Sequence, residues 1–164
     1  MAVKDTEAAG VEAMADQIFA LTRLTWMSNL KLKKARGEEL SNTEFLALDL
    51  LGRDGSMTVG QLQRRIGILP AQMSRVIKAL ETRFPKTLVN CAINPADKRK
   101  IDLTLTDAGR RALAAFKKSR LSNIAGALQM LTEADRLDFM RIVGLLRSSF
   151  QKQLAAARGG RPDK

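Results

Sequence analysis

The segment from Thr58 to Leu105 constrains this chain more than any other stretch of it. Thr58-Val59-Gly60-Gln61 is a helix-start signal, in which the Thr hydroxyl accepts from the third helical N–H and the Gln side chain reaches back. The helix it opens carries Leu62 and Ile66, and Gly67 ends it. Pro70 suits the first turn of a second helix, which runs to about Arg83 with Met73, Val76, Ile77 and Leu80 on its inner side. Two helices joined by the tight turn Gly67-Ile68-Leu69 make a helix-turn-helix. Pro85 forbids simple continuation. Leu88 to Ile93 then reads as a strand through β-branched Val89 and Ile93, and Asn94-Pro95-Ala96-Asp97 supplies turn chemistry. Ile101, Leu103 and Leu105 alternate with polar Asp102 and Thr104, so a β-hairpin directly follows the helical pair.

Helical patterns flank this module on both sides. From Val11 to about Arg36, Met14, Ile18, Leu21, Trp26, Met27 and Leu30 recur at one- or two-turn spacings. The basic run Lys31, Lys33, Lys34 and Arg36 suits a solvated helix end, and Gly37 stops it. Ser41-Asn42-Thr43-Glu44 is a capping box that opens a helix bearing Phe45, Leu48 and Leu51. After the hairpin, Thr106 caps a long helix through Leu113, Phe116, Ile124 and Leu128. Thr132 caps the last helix, with Phe139, Val143, Leu146, Phe150 and Leu154 at one-turn spacing. The expected fold is mainly α with a small β-hairpin. Its winged helix-turn-helix domain spans 38–106, and its helical dimerisation region spans 11–36 and 107–155. Residues 1–10 and 156–164 are expected to be flexible.

Charge marks the same module. The chain carries a net charge of +11, and nine Lys or Arg against two acids fall between Ser56 and Lys100. An anionic partner follows. If Met73, Ile77 and Leu80 face inward, helical geometry turns Ala71, Gln72, Ser74, Arg75 and Lys78 outward. Arg can bond guanine bidentately, Gln can bond adenine, and small Ala or Ser permits close approach in the major groove. The hairpin tip carries Asp97, Lys98, Arg99 and Lys100. A basic hairpin beside a recognition helix is a wing, able to place a cation in the adjacent minor groove. Arg64, Arg65 and Lys86 join Lys98 and Lys100 as candidate phosphate contacts.

The stretches Thr58–Leu62 and Gly67–Glu81 resemble the helix-turn-helix of the MarR family of winged-helix regulators. Pro95-Ala96-Asp97-Lys98-Arg99 is similar to that family's wing, and Leu103-Thr104-Leu105-Thr106-Asp107-Ala108-Gly109 to its wing-to-helix junction. The likeness spans about Glu38 to Gly109 in motif. It implies a cytoplasmic homodimer with interlocked terminal helices, binding a pseudo-palindromic operator in double-stranded DNA and acting mostly as a repressor. By the resemblance Arg99 enters the minor groove and Asp97 orients it through a charge-assisted bond. A small-molecule effector is permitted by the same likeness, with no identity or pocket given. Two departures stand out. Leu69 occupies the place of a Ser or Thr cap, and Arg83-Phe84-Pro85-Lys86-Thr87 replaces a Gly-containing turn.

Other functions find less in the chain. It has no histidine, which removes His-based triads and His metal ligands, and its glycines form no phosphate cradle. No enzyme and no cofactor are expected. No apolar run is long enough to span a membrane, and the polar, acidic first ten residues do not read as a signal peptide. The lone Cys91 fits a reducing compartment and reads as a packing residue of its strand rather than a redox sensor. Trp26 reads as core or dimer interface before ligand pocket. Two other readings stay open. One is a winged protein-interaction module without DNA recognition, and the other is a nonspecific architectural DNA binder.

Overall fold

The computed structural model describes the backbone of residues 2–36 and 39–159, and the side chains of residues 9–27, 39–122 and 124–156. Nine elements follow one another: α1 (Ala2–Arg36), α2 (Asn42–Asp54), β1 (Met57–Thr58), α3 (Val59–Ile66), α4 (Pro70–Thr82), β2 (Val89–Ile93), β3 (Ile101–Leu105), α5 (Asp107–Gln129) and α6 (Glu133–Gly159). The chain divides into two units, one ending at Leu121 and the other starting at Ser122.

The core of the first unit lies between Leu40 and Phe116. Ala47, Leu48 and Leu51 of α2 are buried with Leu62 of α3, Met73 and Leu80 of α4, Val89 of β2, Leu103 and Leu105 of β3, and Leu113 of α5. The rings of Phe45 and Phe116 stack at 4.8 Å, which ties α2 to α5. Every apolar position assigned to the helix-turn-helix core from sequence is at least half-buried.

The sheet has three strands in the order β1-β3-β2, all antiparallel. The hairpin expected from sequence is β2 and β3, in a register that pairs Val89 with Leu105 and Ile93 with Ile101. The third strand is an addition to that expectation. β1 pairs Met57 with Leu103 and Thr58 with Asp102 on the other edge of β3. Two residues show no period-2 pattern, so only the partner strand defines β1.

The termini also extend beyond their sequence bounds. α1 begins at Ala2 instead of near Val11. Residues 2–9 include Ala2, Lys4, Glu7, Ala8 and Ala9, which favour helix, and Gly10 costs only about 1 kcal/mol against that preference. α6 continues through Gly159, past the expected start of the tail at residue 156, on the helix-favouring run Ala155-Ala156-Ala157. Met1, Gly37, Glu38 and residues 160–164 lie outside the described residues, as do the side chains of Lys31, Lys33, Lys34 and Arg36.

Candidate nucleic-acid interface

Thr58 both ends β1 and starts α3. Its hydroxyl accepts from the Gln61 N–H at 3.2 Å, and the Gln61 Oε1 accepts from the Thr58 N–H at 2.8 Å. The first turn of α3 is thereby satisfied from both sides. Leu62 anchors the helix in the core, which leaves Arg64 and Arg65 exposed in its last turn. Arg65 is ion-paired to Asp54 at 2.8 Å. Gly67 closes α3 at φ +80°, where a Cβ would be strained. The Gln63 amide donates to the Ile68 carbonyl at 3.1 Å and fixes the turn into α4.

α4 lacks the usual cap, because Leu69 has no side-chain acceptor. Gln72 supplies half of a capping box instead, its Oε1 accepting from the Leu69 N–H at 3.2 Å. Met73 and Leu80 are buried, Val76 and Ile77 half-buried. Ala71, Gln72, Ser74, Arg75 and Lys78 all face solvent, which is the disposition the helical spacing requires. Two of the five are engaged within their own helix: Gln72 as described, and Ser74, whose hydroxyl donates to the Pro70 carbonyl at 3.2 Å. Arg75 and Lys78 have no ion-pair partner among the described residues.

The glycine-free connection after α4 is held by polar contacts. The Leu88 N–H donates to the Leu80 carbonyl at 2.9 Å, and the Thr87 hydroxyl donates to the Glu81 carbonyl at 3.3 Å. Arg83 reaches back to the start of α2, where it pairs with the buried Glu44 carboxylate and donates to the Glu39 carbonyl at 3.3 Å. Its guanidinium also lies over the Phe84 ring at 4.6 Å. Glu44 serves the Ser41 N–H at 2.7 Å with the same carboxylate. One residue thus caps α2 and holds the end of α4. Sequence reasoning found the cap and missed the pair, since no local pattern links positions 39 residues apart. Lys86 stands exposed in this connection.

The wing tip is a hydrogen-bonded turn rather than a loose loop. The Asp97 Oδ1 accepts from both the backbone N–H and the Nε of Arg99, at 3.1 and 3.2 Å, and its Oδ2 meets the Lys100 Nζ at 3.0 Å. The Lys100 ammonium, then the backbone and side chain of Arg99, hold the Asp97 carboxyl below its ordinary range. The Arg99 side chain is 91 % exposed, and Lys98 is exposed beside it. Beyond the wing, the Thr106 hydroxyl donates to the Thr87 carbonyl at 2.7 Å and accepts from the Gly109 N–H at 2.9 Å, which starts α5. A module with one outward cationic helix and one braced cationic hairpin results.

A model of the MarR family matches residues 40–101, the span that holds every candidate contact from Arg64 to Lys100. Over that span the chain is similar to the MarR family. Among curated relatives, it is similar to the HTH-type transcriptional repressor MdtR of Bacillus subtilis, 27% identical over 115 residues that cover 70% of this chain and 72% of that one. Among solved structures it is similar to RV1404 from Mycobacterium tuberculosis, at a TM-score of 0.70 and 20% identity over 84% of this chain and 92% of that one. BpsR of Bordetella bronchiseptica, whose DNA binding is regulated by 6-hydroxynicotinic acid, shares the fold at a TM-score of 0.55 and 24% identity. That match covers 81% of this chain and 98% of BpsR.

One sequence reading changes, and another narrows. Cys91 is not a packing residue: it is exposed on β2, a strand in which only Val89 is buried. Partial burial of the thiol, and then the neighbouring Glu81 carboxylate, push it up to about 12. Trp26 is 61 % exposed on α1, which removes the core half of its reading and leaves the dimer-interface half standing as an expectation.

Proposed function

We propose that this chain is a transcriptional regulator, mostly a repressor, that binds a pseudo-palindromic operator in double-stranded DNA as a cytoplasmic homodimer. The observation that carries the reading is the coexistence of Arg75 and Lys78, exposed on the outer face of α4 with no ion-pair partner among the described residues, with an Arg99 already held by Asp97 on the adjoining wing. Base readout falls to Gln72, Ser74, Arg75 and Lys78, with Ala71 permitting close approach. Phosphate contacts fall to Arg64, Arg65, Lys86, Lys98 and Lys100, with Arg65 first released from Asp54. Homodimerisation is supported by large apolar side chains left exposed on both terminal helices, among them Phe19 and Leu24 of α1 and Leu145 and Phe150 of α6.

Selection from fragments of the source genome, followed by gel shifts on the enriched duplex, tests the reading. Tight binding that resists nonspecific competitor is the expected result. Equal retention of all fragments would favour an architectural binder. No retention at all would favour a protein-interaction module.

An effector is a second reading, favoured by one observation. A cavity of about 520 Å³ opens at the end of α2, bounded by β3 and the first half of α5, with Asp49, Arg53, Ser56, Thr104, Arg110 and Lys117 among its lining. The regulation of BpsR by a small molecule supports the same idea. The identity of the ligand is best sought by thermal-shift screening of metabolites, with release of the selected duplex as the second criterion.

A further inference from the structure

The wing has almost nothing apolar to hold it in place. Pro95, Ala96, Lys98, Arg99 and Lys100 are exposed, and the cross-strand pair Ile93 and Ile101 at its base is 69 % and 46 % exposed. Its shape must come from polar contacts, and these converge on Asn94. The Asn94 Oδ1 accepts from the N–H groups of Ala96 and Asp97 at 3.0 and 2.9 Å. Its Nδ2 donates to both carboxylate oxygens of Asp102, at 3.0 and 2.9 Å. The backbone closes the same turn, Asn94 N–H to the Lys100 carbonyl and Lys100 N–H to the Asp97 carbonyl, each at 2.9 Å.

These bonds form a path from sheet to tip. Asp102 sits on β3, the central strand, opposite Ala92 of β2 and opposite Thr58 of β1. Thr58 is also the cap of α3. Asp102 holds Asn94, Asn94 holds the backbone of Asp97, and Asp97 holds the Arg99 guanidinium. The direction of Arg99 is therefore set by the strand that also sets where the helix-turn-helix begins. Only an amide fits the middle of this path, since position 94 must accept two N–H bonds and donate toward a carboxylate. An aspartate there would face Asp102 as a like charge.

We propose that Asn94 and Asp102 are positioning residues that aim Arg99, so that wing recognition depends on a pair that touches no DNA. The inference rests on the DNA-binding reading above. The probe is the duplex that the wild-type chain enriches from a random-sequence pool. Asn94→Ala weakens binding to it about five- to tenfold, the expected loss when an extended side chain must be ordered on binding. In an Arg99→Ala background the same substitution changes affinity less than twofold, because its effect passes through Arg99. Asn94→Asp alone weakens binding, whereas Asn94→Asp combined with Asp102→Asn restores it, with acceptor and donor exchanged. Hydroxyl-radical protection of the flanking minor groove is lost and regained in step.

Full affinity in Asn94→Ala, or an equal loss with and without Arg99, overturns the positioning role while leaving the DNA reading intact. Failure of the doubly exchanged variant to recover, when its thermal midpoint matches wild type, overturns it as well. A wild-type chain that enriches no duplex overturns both.

Discussion

Gly109 illustrates how a single missing Cβ fixes the junction between wing and α5. A Cβ built there would sit 2.1 Å from the Leu88 backbone oxygen, while that same oxygen accepts from the Thr106 N–H at 3.1 Å. Neither group can move without breaking the β2–α5 connection. Gly109→Ala is expected to destabilise the fold by about 1–3 kcal/mol, as overpacking does. The shift is read from the urea midpoint, and an unchanged midpoint would show that the junction yields freely. The opposite outcome is expected at Leu69. Leu69→Ser supplies the missing acceptor for the Gln72 N–H and completes the capping box with the Gln72 side chain, so stability should rise by about 1 kcal/mol. The thermal midpoint reads the gain, and an unchanged midpoint would show that Gln72 alone already satisfies this end of α4.

Titration at the residue scale follows from two directions of shift. Asp97 is held below its ordinary range, so its ionised form, and its grip on Arg99 and Lys100, is complete above the ordinary carboxylate range. That grip is lost only as pH falls through the lowered value. The Cys91 thiol is pushed up to about 12, and the chain has no histidine. DNA affinity should accordingly vary little between about pH 5.5 and 8, the window in which histidine would titrate. Cys91 should also react with iodoacetamide at pH 8 far more slowly than a free cysteine peptide, despite its exposure. Rapid alkylation would mean that Glu81 and the partial burial do not hold the thiol protonated.

At the scale of elements, local chemistry was readable and distant pairing was not. The Ser41 and Thr58 capping boxes, Gly67 and the alternating β3 each carry their meaning within four residues, and each element formed where its signal stands. The outward set on α4 followed from an inward Met73, Ile77 and Leu80, of which Met73 and Leu80 are buried and Ile77 half-buried. β1 escaped because two residues have no period. The hold of Glu44 on Arg83 escaped because the two partners lie 39 residues apart, one in α2 and one just past α4. So did the Asn94–Asp102 bridge, whose members look like ordinary turn and strand residues until the register brings them together. The Glu44–Arg83 pair can be tested as a link between elements. Arg83→Ala strips a buried carboxylate of its cation and should cost about 1–3 kcal/mol. Removing Glu44 as well should recover part of that loss in a double-mutant cycle. Strict additivity would show that the two side chains are merely neighbours.

At the scale of the whole molecule, charge and apolar surface make separate demands. α6 lies in the second unit and exposes Leu137, Met140, Leu145, Phe150 and Leu154. Apolar surface of that extent in a water-facing helix calls for a partner, and the proposed partner is a second copy. A dimer doubles the phosphate contacts, and the salt dependence of binding counts them. Five cations per protomer give about ten per dimer, so log K should fall against log salt with a slope of about −9. Leu145→Asp with Phe150→Asp places charge on the exposed apolar face of α6. The variant should sediment as a monomer, keep the helical circular dichroism of the wild type, and bind with a slope of roughly half. Sedimentation separates the two demands. A variant that stays dimeric would move the interface away from this face of α6. A monomer that keeps the full slope would mean that one copy makes all the phosphate contacts, and the second half-site would lose its support.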